Sequence, residues 1–115
     1  MLRQIEIDEI VHDFVNEARL DYVGFWEITG RVQHRFKLSD RSKVREAVMQ
    51  IVSGLLSAGL EAVDLASSGA GCIRWENQAP AHILDRISSE WNKLGRDPTI
   101  GDIVWFNHPQ TSAAC

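Results

Sequence analysis

The side chains best suited to acid–base chemistry in this 115-residue chain are four histidines, at His12, His34, His82 and His108. His12 stands four residues after Asp8 and next to Asp13, a spacing at which a carboxylate can orient an imidazole as a general base. On an amphipathic helix the same spacing also describes an ordinary surface ion pair. An enzyme that uses His12 is therefore our third hypothesis, and we predict that the protein is not an enzyme.

Motifs for metals, cofactors and nucleophiles are missing from the sequence. No histidine stands in a His-Glu-x-x-His segment, and no histidine–cysteine pair has zinc-finger spacing. The chain also lacks a Walker loop, a dinucleotide fingerprint and a nucleophile elbow. The glycines of residues 68–71 precede no helix that could bind a phosphate, so they predict a hairpin turn. We expect no catalytic residue, no metal ion and no cofactor.

Lysines and arginines concentrate in residues 31–45. This segment contains six cationic side chains and one acid, Asp40, so its net charge is +5. We call these cations the basic band: Arg31, Arg35, Lys37, Arg41, Lys43 and Arg45. The rest of the chain holds 6 basic and 15 acidic side chains, which makes the overall charge −4. The position of a basic band on an otherwise acidic protein bears on which partners the protein binds. It predicts a polyanionic partner such as DNA.

A second charged group has the opposite sign. Four carboxylates at spacings of three, four and four predict one face of the first helix, and we call them the acidic stripe: Glu6, Glu9, Asp13 and Glu17. A solvated helix face has the same pattern. If the stripe is functional, it predicts a basic partner such as a nuclease, because carboxylates so placed mimic phosphates and accelerate the encounter.

Hydrophobic periodicity predicts four helices to position these groups. The first covers residues 4–19 and buries Ile7, Ile10, Val11, Phe14, Val15 and Ala18. The second covers 24–36, where Gly30 predicts a close helix crossing or a bend. The third begins after a cap at Ser39 or Asp40 and ends before Gly59, and the fourth covers 80–94. Residues 60–65 and 72–75 predict a hairpin, and 103–106 predict a short strand.

This order of elements resembles a winged helix. We predict an α+β fold with three helices, a two-stranded β-hairpin wing, a fourth helix and a C-terminal strand. Winged helices bind either nucleic acids or proteins, so the fold does not decide the function. The outward face of the third helix carries one cation and one anion, Lys43 and Glu46, and residues 66–71 of the wing hold no lysine or arginine. Reading a DNA groove needs more cations than this, which favours a protein partner.

Length and composition indicate one domain over residues 1–110, followed by a flexible C-terminal tail at 111–115. No apolar segment approaches the roughly 20 residues that cross a bilayer. Residues 1–8 carry acids where a signal peptide would be apolar, so we expect a cytoplasmic protein that binds no membrane. The two cysteines, Cys72 and Cys115, are expected to be reduced. Four tryptophans predict core packing, with one or two of them exposed.

The second half of the chain, in residues 55–75, 87–98 and 101–106, is similar to small bacterial proteins. Among these are immunity proteins of toxin–immunity pairs, including contact-dependent growth inhibition systems. The resemblance implies a non-enzymatic protein-binding module that neutralises a toxin domain by stoichiometric binding. It transfers no functional residue to this chain. The alternative is a winged-helix DNA-binding transcriptional regulator that uses the basic band.

Overall fold

The computed structural model describes residues 3–35, 41–65 and 71–109. In these residues four helices and four strands follow one another in the order α1 (Gln4–Ala18), β1 (Val23–Gly24), α2 (Phe25–Gln33), α3 (Arg41–Ser57), β2 (Glu61–Leu65), β3 (Cys72–Arg74), α4 (Pro80–Leu94) and β4 (Trp105–Asn107). The predicted α+β class is confirmed. The winged-helix assignment stays a prediction, because the tip of the wing at residues 66–70 lies outside the described residues.

The ends of α3 and α4 follow from glycines. Gly59 has a φ of 98°, which its missing Cβ permits. Around it the Leu60 amide donates to Leu55 (3.1 Å) and the Gly59 amide donates to Leu56 (3.0 Å). This double hydrogen bond caps the last carbonyls of α3 and redirects the chain into β2. Gly95, with a φ of 68°, stops α4 at the predicted residue.

The four strands form one antiparallel sheet in the order β1-β4-β2-β3. The predicted C-terminal strand, β4, is therefore an inner strand of this sheet. It lies between β1 and β2, pairing Phe106 with both Val23 and Ala62. Phe106 is fully buried there, so β4 closes the core that the helices cover.

A side chain completes the sheet where β3 ends. The Ala62 amide donates to Gln78 Oε1 (3.0 Å), and Gln78 Nε2 donates to the Ala62 carbonyl (2.8 Å). Gln78 Nε2 also donates to the Trp75 carbonyl at 2.9 Å. Because Ala62 is fully buried, its backbone groups need partners: the Ala62 carbonyl also accepts from the Trp75 amide at 3.0 Å, and Gln78 Oε1 supplies the Ala62 amide with the acceptor that a longer β3 would provide.

Helices α1 and α2 both pack on α3, whose inward residues Val48, Ile51, Val52 and Leu55 are fully buried. The close approach lies at Gly54, where an added Cβ would stand 2.7 Å from Val11 Cγ2 of α1. At Gly30 an added Cβ would meet no neighbouring atom of the described residues within 4 Å. The prediction that Gly30 marks a close helix crossing is therefore wrong, and Gly54 marks it instead.

Several other predictions either differ from the structure or concern residues outside the described ranges. Helix α2 ends at Gln33, earlier than predicted. Cys72 is disulfide-bonded, so the expectation of reduced cysteines is wrong. The helix cap at Ser39 or Asp40 and the tail at 111–115 lie outside the described residues. No helix in the described part of the chain has the length and apolar character needed to span a membrane.

Candidate functional site

The acidic stripe and part of the basic band bind each other across α1 and α2. Arg31 of α2 donates to Asp13 Oδ2 at 2.8 Å. Just after α2 ends, Arg35 forms an ion pair with Glu6, which also receives a 3.4 Å contact from Arg3. The guanidinium of Arg31 additionally lies 5.9 Å from the centre of the Phe14 ring. Two groups that the sequence presented as rival binding surfaces are thus partners within one molecule.

These pairs split the acidic stripe into two classes. The Glu6 side chain is 16% exposed and the Asp13 side chain is 48% exposed, and each forms an ion pair with an arginine. Glu9 and Glu17 are exposed, and neither side chain makes an ion pair or hydrogen bond among the described residues. They stand eight residues apart, about 12 Å along the helix axis. The outward side of α1 therefore keeps two carboxylates that are open to solvent.

The rest of the basic band is not one surface either. Arg45 is half-buried against α4, where its Nη2 donates to both the carbonyl and the hydroxyl of Ser88 at 2.9 Å. Its guanidinium also lies 4.9 Å from the centre of the Trp91 ring. Arg41 and Lys43 are exposed at the start of α3. Lys37 lies outside the described residues.

Among the residues that the structure describes, His12 has no carboxylate partner. Its Nε2 lies 3.2 Å from Asn16 Nδ2, while Asp8 accepts from Gln4 (2.8 Å) and Asp13 accepts from Arg31. A general base needs a group that orients its imidazole, and neither predicted acid does so here. Among the described residues no cluster of three or more histidine, cysteine or acidic side chains is placed to hold a metal ion.

The tryptophans are less exposed than predicted. Trp75 is 4% exposed, and its ring lies 3.6 Å from the guanidinium of Arg86. Trp26, Trp91 and Trp105 are half-buried, so the prediction that one or two are exposed is wrong. Trp91 instead packs edge-on against Phe25 with the ring centres 5.1 Å apart. Their role is to hold α4 and the sheet against the helices.

The segment between α4 and β4 is an unexpected candidate, which we call the pinned loop (residues 96–104). The Asp102 carboxylate accepts from Arg96 Nη1 (2.7 Å), from the Thr99 amide (2.7 Å) and from the Thr99 hydroxyl (3.1 Å). The bond from Arg96 and then that from the Thr99 amide lower the pKa of Asp102 to about 2. At neutral pH this carboxylate is charged and holds both ends of the turn.

Two successive turns shape the pinned loop. The Asp102 amide donates to the Thr99 carbonyl at 3.0 Å, and Gly101 has a φ of 86°, as the third residue of a type II turn requires. Ile103 then has a φ of 69°, and the Val104 amide donates to the Asp102 carbonyl at 2.9 Å, which closes a γ-turn. A β-branched residue is strained at positive φ. At the tip, the Ile100 side chain is 72% exposed.

No helix, strand or function is predicted from the sequence for residues 96–102. The available signal was the pair of opposite charges, Arg96 and Asp102, placed on either side of a proline and a glycine. Such a pair can close a short loop on itself only if the chain turns back within six residues, which Pro98 and Gly101 make easy. The exposed Ile100 between them completes the pattern.

Comparison with known proteins identifies no relative of this chain. The chain matches no family model, no curated protein and no solved structure. The resemblance to immunity proteins therefore stays a prediction.

Proposed function

We propose that this protein is a non-enzymatic protein-binding module, and specifically an immunity protein that neutralises a toxin domain by stoichiometric binding in the cytoplasm. The observation that carries the proposal is the pairing of Arg31 and Arg35 with the carboxylates of α1. These arginines are engaged within the molecule, so they are poorly placed to neutralise the phosphates of a nucleic acid. The resemblance of the second half of the chain to immunity proteins points the same way.

The binding surface in this proposal is the outward side of α1, with Glu9 and Glu17 as the contacts that are open to solvent. Their partner would be a basic toxin surface such as the substrate groove of a nuclease. Two carboxylates about 12 Å apart along a helix can occupy positions that phosphates would otherwise fill. Capture would block the toxin by occlusion, and the negative charge of the protein would accelerate the encounter.

The test is binding to the purified product of the neighbouring gene, measured by surface plasmon resonance at two salt concentrations. We expect Glu9→Lys/Glu17→Lys to slow association at least tenfold at low salt, because both variants reverse steering charges. The matched control is Glu76→Lys/Asp85→Lys, which changes the net charge equally at exposed acids outside α1. No stable complex with any neighbouring gene product, or equal effects of the two double variants, would contradict the proposal.

A DNA-binding regulator is the alternative, and the exposure of Arg41 and Lys43 favours it. A salt titration separates the cases, because each neutralised phosphate adds about −0.9 to the slope of log affinity against log salt. Two cations predict a loss of roughly tenfold in affinity between 50 and 200 mM salt, whereas six predict a loss of roughly a thousandfold. Duplex DNA binding at physiological salt with the steeper slope would replace our proposal with a regulator that uses the whole basic band.

A further inference from the structure

We propose that the pinned loop is a recognition loop, which inserts Ile100 into an apolar pocket on the protein partner. This inference rests on the proposed function, and it adds a second contact far from the acidic stripe in sequence. The reasoning concerns three properties of the loop: where its apolar side chain points, how firmly its backbone is held, and which charges surround the tip.

Ile100 occupies the second position of the Thr99–Asp102 turn, where a side chain projects away from the body of the protein. Its 72% exposure exceeds that of Ile5 (59%), Leu65 (37%) and Ile73 (61%), and among the described large apolar residues it is second to that of Leu20 (90%), which no comparable set of hydrogen bonds holds in place. A turn at this position suits polar residues and proline, so an isoleucine there gains nothing for folding. An aliphatic side chain held out in water gains free energy when a partner covers it.

The backbone that carries Ile100 is held on both sides. The Asp102 carboxylate ties Arg96 to Thr99 before the tip, and the strained γ-turn at Ile103 leads directly into Val104, which is 1% exposed. Pro98 is buried as well. Strain of this kind persists only where the surroundings fix it, and it concentrates at sites that bind. A rigid tip loses little conformational entropy on docking, so more of the contact energy appears as affinity.

The charges around the tip define the partner. Arg96 and Asp102 neutralise each other at the base of the loop, and Asp97 remains exposed without an ion pair among the described residues. A complementary pocket is therefore apolar at its centre and basic at its rim. The same polarity is required of a partner that meets Glu9 and Glu17.

The test compares Ile100→Ala with Ile73→Ala, an exposed isoleucine of β3 for which we propose no contact. Affinity for the purified product of the neighbouring gene is measured by titration calorimetry. We expect Ile100→Ala to weaken binding at least tenfold, mostly through faster dissociation, and Ile73→Ala to change it less than twofold. Both variants should unfold within about 2 °C of the wild type, which shows that the loop change leaves the fold intact.

Each other outcome overturns a defined part of the reasoning. If the wild type forms a complex and Ile100→Ala binds equally well, the recognition loop is refuted while the proposed function stands. If the wild type forms no complex, both are refuted. If the wild type sediments as a dimer that Ile100→Ala converts into a monomer, the occupant is a second copy of this chain, and the proposed partner is wrong.

Discussion

The contact between Gly54 and Val11 makes a sharp prediction about stability, with Gly30 as its matched control. Both glycines lie inside helices, where replacement by alanine gains about 0.8–1 kcal/mol of helix propensity. At Gly30 the new methyl group meets no neighbouring atom of the described residues within 4 Å, so the whole gain should appear. We expect Gly30→Ala to stabilise the protein by up to about 1 kcal/mol, or about 4 °C in Tm.

At Gly54 the new methyl group would stand 2.7 Å from Val11 Cγ2 and 3.4 Å from Cγ1. Val11 cannot rotate away cheaply, because a β-branched side chain in a helix has one strongly preferred χ1 rotamer. Overpacking of this kind costs about 1–3 kcal/mol. After the gain in propensity is subtracted, Gly54→Ala should be neutral or destabilising by up to about 2 kcal/mol.

Urea unfolding followed by far-UV circular dichroism measures both variants. Adding Val11→Ala to Gly54→Ala removes both Cγ atoms, so the double variant should recover at least about 1 kcal/mol relative to the sum of the two single changes. If Gly54→Ala stabilises the protein as much as Gly30→Ala does, the close crossing of α1 and α3 is not where the structure places it.

Three further predictions concern the loop and the sheet. Asp102→Asn should lower the urea midpoint at pH 7. Because the pKa of Asp102 is lowered to about 2 in the folded protein, the difference in midpoint from wild type should persist above pH 4 and vanish as the pH falls towards 2. A difference that does not change with pH would contradict the ion pair. Gln78→Leu should cost about 1–3 kcal/mol by leaving the buried Ala62 amide without its acceptor, while the Ala62 carbonyl keeps its bond from the Trp75 amide; an unchanged midpoint would show that another group replaces Gln78. Gly24→Ala places a Cβ 2.6 Å from Trp26 Nε1, so it should cost at least about 1 kcal/mol and shift tryptophan emission; an unchanged spectrum would refute that contact.

The helices could be predicted from sequence because their apolar residues repeat with the helical period. Ile7, Ile10, Phe14 and Ala18 are buried as that period requires, and glycines mark the ends of α3 and α4. The position of β4 between β1 and β2 could not be predicted, since strand order depends on pairing between residues as distant as Ala62 and Phe106. Periodicity describes which face is apolar, and it does not say which strands become neighbours.

The acidic stripe and the basic band show the same limit of prediction from sequence. The spacing of the acidic stripe and of the basic band was visible in sequence, but their mutual pairing was not. Asp13 and Arg31 are 18 residues apart, and Glu6 and Arg35 are 29 apart. Only the packing of α1 and α2 on the common helix α3 brings them together. Counting charges along a chain therefore overstated the cations available to a polyanion.

The hydrogen bonds of Gln78 with Ala62 have a consequence for aggregation. A strand margin with unused amide and carbonyl groups can recruit a strand from another molecule and begin a fibril. Here the side-chain carboxamide of Gln78 occupies the Ala62 amide at the point where β3 ends, and it shares the Ala62 carbonyl with the Trp75 amide. A foreign strand would have to displace that amide before it could add to β2. Loss of Gln78 would then be felt first in solubility during prolonged storage, before any defect in folding became visible.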